Sequence, residues 1–165
     1  MKKLVIFEGP DGSGKSTAAT KYAEETGSRM VHCGPYLDKG TQLKWIYLEA
    51  MLPALMDVDD VVMDRCWISE PVYGAVFRDG TDRLGQRGRD VLEAVARLVE
   101  ARVVLCLPPE EVCLANWRRC HAQGGEYLQR EEELRAVWRK YNDGAAIKTL
   151  TGLPMVRFDY TLEQK

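Results

Sequence analysis

The stretch LVIFEGPDGSGKST, residues 4–17, constrains the fold more than any other part of the chain. Four consecutive apolar residues read as a buried strand, and the residues after them fit G-x-x-x-x-G-K-[ST] from Gly9 to Ser16. Such a run is either an idle flexible turn or a cradle for phosphates. Glycines permit backbone conformations with positive φ and let amide N–H groups converge on phosphate oxygens. Ala18, Ala19, Tyr22 and Ala23 then recur at helical spacing over 15–25, and a helix N-terminus at that point adds partial positive charge. The strand before and the helix after favour the cradle. Gly9, Pro10, Asp11, Gly12, Ser13, Gly14, Lys15, Ser16 and Thr17 are therefore the expected binding loop for ATP. Lys15 would reach the outer phosphates, and the Ser16 hydroxyl would ligate Mg2+.

Further strand-like runs at 29–33, 61–64, 102–107 and 155–158 alternate with helical patterns at 15–25, 41–52, 69–77, 109–121 and 131–141. A further helix is expected from Asp90 onward, after Gly80, Gly85 and Gly88 break the chain. This alternation is the signature of an α/β sheet covered on both faces. No internal repeat, low-complexity tract or linker interrupts it, so residues 1–165 read as a single domain. Pro53 is expected near the end of its helix.

Composition narrows the partners. The net charge of -2 supplies no global basic field for nucleic acid, although a local patch would suffice. Five cysteines form no CxxC pair, and no apolar run approaches the roughly 20 residues that span a bilayer. The chain reads as a cytoplasmic protein with free thiols, with no membrane partner. No N-K-x-D motif occurs, which argues against a GTPase, and motor or transporter ATPases normally need more chain. Phosphotransferases acting on small acceptors remain.

Asp64 ends an apolar strand in DRCWISEPVYG, which would place it at the C-terminal edge of the sheet, where open α/β folds bind ligands. There a carboxylate can act on magnesium, orient an acceptor hydroxyl or take its proton. Arg65 can grip phosphate oxygens bidentately. The plainer reading is a structural Asp–Arg pair capping a strand.

Taken together, EGPDGSGKST and D-R-x-x-x-S-x-x-x-Y (Asp64, Arg65, Ser69, Tyr73) resemble the thymidylate kinase family, especially its short phage-type members. The resemblance implies a P-loop three-layer α/β/α fold with a parallel five-stranded sheet, Mg-ATP as phosphate donor and a short helical lid at about 118–130. It implies that Asp11 and Asp64 organise metal and acceptor, with Ser16 and Asp64 at the metal. It further implies that Arg65 binds the acceptor or the transferring phosphate. A bacterial or phage-infected host cytoplasm would be the setting, and a homodimer stays open. One departure stands out. The family usually carries an R-E-P-G-G-T-like segment after the second strand, and here HCGPYLDKGTQLKWIY contains no arginine, only Lys39 and Lys44 as substitutes.

Transfer also needs water excluded and charge neutralised. Arg118, Arg119 and Arg130 flank Gly124-Gly125 and are the candidate catalytic arginines of the lid, against a reading in which helix-end arginines merely solvate. Tyr36, Trp45, Trp67 and Tyr73 could stack on a pyrimidine ring, although Trp45 and Trp67 could equally fill core. With Ser69, and with Arg78 and Arg83 from RDGTDRLGQRGR, they form the expected acceptor side. The expected acceptor is a thymidine-like pyrimidine deoxynucleotide. The alternative is a phage DNA-modification kinase that phosphorylates 5-hydroxymethyluracil in DNA, which the absent arginine and the arginine-rich loop would fit.

Overall fold

The computed structural model describes residues 3–34, 42–122 and 130–162. Tyr36, Lys39 and most of the expected lid lie outside the described residues. Five strands, β1 (Leu4–Glu8), β2 (Arg29–His32), β3 (Val61–Asp64), β4 (Arg102–Cys106) and β5 (Met155–Phe158), pair in the order β2-β3-β1-β4-β5. Every pairing is parallel. The helices are α1 (Lys15–Thr26), α2 (Leu43–Leu55), α3 (Ser69–Phe77), α4 (Gly85–Leu98), α5 (Glu110–His121), α6 (Glu131–Asn142) and α7 (Gly144–Leu150).

Side chains alternate across a strand, so a sheet buried on both faces must be apolar at every position. β1 obeys this up to its last residue, Glu8: Leu4 and Ile6 join a large core with Val61, Met63, Val103 and Leu105. Val5 and Phe7 join a smaller core with Ala19 and Ala23 of α1. Helices α2, α3, α4 and α6 contribute to the large core, so the architecture is the expected three-layer α/β/α sandwich.

Three local departures have physical causes. Helix α2 continues through Pro53 to Leu55, because Met51 and Ala54 are fully buried and hold its last turn against the core. Helix α4 starts at Gly85 and not at Asp90. Asp82 shapes the turn into the helix, its Oδ1 accepting the Leu84 N–H at 3.0 Å, while Leu84 at the N-cap packs on the core. Helix α7 was not expected. The Asp143 carboxylate accepts the N–H groups of Ala145 and Ala146, and burial of Ile147 fastens the short helix.

Parallel register decides what meets at the C-terminal edge. Phe7 and His32 both align with Asp64, so the ends of β1, β2 and β3 arrive side by side. Among the described residues no helix is long and apolar enough to cross a membrane.

Candidate active site

The loop after β1 is closed by glycine geometry. Gly9 has φ +147° and Gly12 +71°, and a Cβ on either would run into a backbone carbonyl, that of Cys106 or of Cys113. Helix α1 begins at Lys15 immediately after Gly14, so its N-terminal amides face the same space as the loop. That space is a cavity of about 830 Å³, lined on this side by Asp11, Gly12, Ser13, Gly14, Lys15, Ser16 and Thr17.

Lys15 is 7% exposed. Burial, and then the neighbouring Arg65 charge, hold its ammonium pKa below the ordinary value, against the pull of Asp11, Asp64 and Glu8. Asp64 is wholly buried. Burial is the largest influence on its carboxyl and pushes it up. The Lys15 charge and hydrogen bonds from Ser16 and His32 outweigh that, so the net shift is downward and the group is a carboxylate at neutral pH.

A magnesium ion fits this arrangement. Asp64 Oδ1 is buried without a hydrogen-bond partner, and the Ser16 hydroxyl lowers the pKa of the same carboxylate, an all-oxygen pair of the kind Mg2+ prefers. Ser16 and Asp64 would hold it, and the ion would neutralise charge on the phosphates.

Arg65 follows Asp64 with a left-handed backbone, φ +74°. Its Nη1 donates to Gly9 O at 3.2 Å, Nη2 pairs with Asp11, and the guanidinium stacks 4.9 Å from the centroid of Tyr73. The two motifs read from the sequence are thus joined directly by Arg65 and Asp11.

On the other side of the cavity lie Ser69, Tyr73, Arg78 and Arg83, together with His32, Tyr47 and Glu70. Glu70 receives both arginines: Arg83 reaches it with Nε and Nη2 at 2.9 Å, and Arg78 Nη2 at 3.2 Å. Beside Thr17 and Lys21 the cavity is closed by Asn116, Arg119, Phe158 and Tyr160. Asn116 Nδ2 donates to Gly12 O at 2.9 Å and to the Tyr160 hydroxyl at 2.8 Å, tying α5 and the segment after β5 to the phosphate loop.

Several expected site residues are not brought in. Trp67 is fully buried and meets Tyr47 edge-on at 6.5 Å. It backs the cavity wall, and Tyr47 presents the ring instead. Trp45 is 64% exposed on α2, with Lys44 at 5.0 Å, and does not line the cavity. Arg118 forks onto Glu131, and Arg130 pairs with Glu133, both at the surface. Arg119 alone of the three lid candidates lines the cavity, with Nη2 on Asn116 Oδ1 at 2.5 Å.

Residues the sequence reading passed over are Glu8, His32, Tyr47, Glu70, Asn116 and Tyr160. Glu8 and Glu70 sit inside the two motifs, where an acid between the quoted motif residues was a readable signal. Asn116 and Tyr160 carry no local signal, since only the packing of α5 and β5 beside the loop places them.

The chain is 32% identical over 139 residues to the cytidylate kinase of Ignicoccus hospitalis, an alignment that spans 79% of this chain and 71% of that protein. Its fold is similar to that of YorR from Bacillus subtilis, solved with phosphorylated GDP, at a TM-score of 0.70 and 24% identity. That match covers 96% of this chain and 86% of the other. Deoxyadenosine kinase from M. mycoides, solved with bound dCTP, superposes at a TM-score of 0.59 with 13% identity, over 96% and 90% of the two chains. No family model matches the chain.

Proposed function

The chain belongs to the nucleotide kinases related to cytidylate kinase, and we propose that it transfers the γ-phosphoryl group of Mg-ATP to a thymidine-like pyrimidine deoxynucleotide. The observation that carries this reading is the convergence of Lys15, Ser16 and Arg65 on one cavity that continues to Tyr73, Glu70, Arg78 and Arg83, with the Asp64 carboxylate buried behind its wall beside Lys15. The donor phosphates lie along the loop, with Lys15 and the α1 amides on their outer oxygens. Asp64 orients the acceptor oxygen and the metal, and Arg65 holds the phosphate in flight. Arg119 closes over the donor side, and Tyr47 and Tyr73 line the part of the cavity that would take a base. Glu70, with Arg78 and Arg83 bound to it, lines the same side and gives the cavity a polar wall there.

The DNA-modification reading keeps one support, the missing arginine after β2. Its other support weakens, because Arg78 and Arg83 are engaged with Glu70 and Arg89 with Asp82, leaving less free charge for a phosphate backbone. Labelled ATP offered with a panel of free deoxynucleotides, deoxynucleosides and duplexes containing 5-hydroxymethyluracil separates the readings. Label on thymidylate, with cytidylate as the competitor suggested by the relative's name, is the expected outcome. Label on DNA only would replace this proposal with the modification kinase.

A further inference from the structure

Glu8, the last residue of β1, is fully buried and does not line the cavity. Its Oε1 accepts from Gly9 N at 3.1 Å, Ser69 Oγ at 2.7 Å and the Tyr141 hydroxyl at 2.8 Å. Oε2 accepts from Cys66 N at 3.0 Å and faces Cys66 Sγ at 3.4 Å. Arg65 Nη1 stands 3.9 Å from Oε1. A buried carboxylate is costly unless every lone pair is engaged, and an apolar side chain would fill the same place more cheaply.

Its partners say what this carboxylate is for. They bracket Arg65 on all sides: Gly9, whose carbonyl takes the guanidinium, and Cys66 and Ser69, which follow Arg65 into α3. Arg65 itself holds a left-handed backbone, which a residue with a Cβ adopts only at a cost. Tyr141 adds α6, so one group clamps β1, the turn after β3 and the helix beyond the lid.

We propose that Glu8 is a positioning residue: it holds the turn at Arg65 so that the guanidinium is pre-aimed at the acceptor side of the cavity, without itself touching substrate. This rests on the kinase reading above. Glutamine cannot replace it. Hydroxyls can rotate to accept from an amide, but the N–H groups of Gly9 and Cys66 cannot, so either amide orientation sets an NH2 against a backbone donor.

The test compares Glu8→Gln with wild type by acceptor kinetics, by ATP affinity measured without acceptor, and by phenylglyoxal labelling of Arg65 read by peptide mass spectrometry. Acceptor kcat/KM should fall by about 30-fold while the ATP dissociation constant changes less than about threefold, and Arg65, now loosened, should label faster. The double variant Glu8→Gln/Arg65→Lys should be no worse than Arg65→Lys alone, because the two act as a unit. Equal losses in ATP binding and acceptor turnover with unchanged Arg65 labelling would overturn the proposal, as would multiplicative losses. If Glu8→Gln does not fold, Tyr141→Phe removes one donor and should give the same pattern at about fivefold. Unchanged turnover and labelling in that variant would equally overturn it. Should wild type phosphorylate none of the acceptors, the kinase reading fails separately, and Arg65 labelling still decides whether Glu8 holds the turn.

Discussion

His32 and Asp64 are register partners on β2 and β3, and His32 Nδ1 lies 2.8 Å from Asp64 Oδ2. The imidazole thus steadies a carboxylate whose pKa is held below the ordinary 3.8 despite burial. A lowered folded value means that the unfolded chain binds the proton more readily, so stability from Asp64 is present above about pH 4 and disappears as pH falls through the folded value. Acid titration of unfolding in wild type and Asp64→Asn should show a shallower acid loss in the variant. His32→Ala should lower acceptor kcat/KM by about tenfold with little effect on ATP affinity.

Lys15→Met should abolish transfer while leaving a folded protein, because Lys15 is the cation facing both Asp11 and Asp64 and an apolar chain of similar length tolerates its buried setting. Circular dichroism and the labelled-ATP assay check the two halves. Full activity in this variant would remove the phosphate-loop argument.

Of the three arginines near the lid, Arg119→Ala should reduce activity by about 100-fold, whereas Arg118→Ala and Arg130→Ala should change it less than about threefold. Only Arg119 reaches the cavity, and the others are tied to Glu131 and Glu133 at the surface. Parallel steady-state kinetics of the three variants would settle the ranking.

Gly12→Ala should destabilise the protein by about 3 kcal/mol, combining a left-handed backbone with a Cβ driven into the Cys113 carbonyl of α5. Thermal melting should show a drop of roughly 10 °C for a domain of this size.

A thiol reagent at pH 8 should modify Cys120 first in the native protein and all five cysteines only after denaturation. Cys120 is exposed, while Cys33, Cys66, Cys106 and Cys113 are buried. Burial pushes the Cys106 and Cys113 thiols up to about 12, far from the thiolate that reacts. Because Cys120 lines the donor end of the cavity, saturating ATP should slow its modification.

Legibility followed locality. The buried strand, the glycine turn and the helix start occupy contiguous residues, so the phosphate loop could be read whole, as could the strand that delivers Asp64 and the alternation that forces a covered sheet. Trp45 and Trp67 could not be placed, because an aromatic on an apolar stretch reads alike whether it faces core, cavity or solvent. Helix α7 was missed although Asp143 was a readable cap, since a seven-residue helix depends on the burial of Ile147 more than on its own periodicity.

By itself the sequence determined the strand, the glycine turn and the helix start of the loop after β1, because these need only neighbouring residues with the right backbone freedom. The surroundings of that loop and of Arg65 were decided by tertiary structure. Glu8 meets Cys66, Ser69 and Tyr141 across 58, 61 and 133 positions, and Asn116 meets Gly12 across 104. Such pairs come together only when the parallel register aligns β1, β2 and β3 at one edge and the helices pack around it. The surroundings of Arg65 are set by that packing.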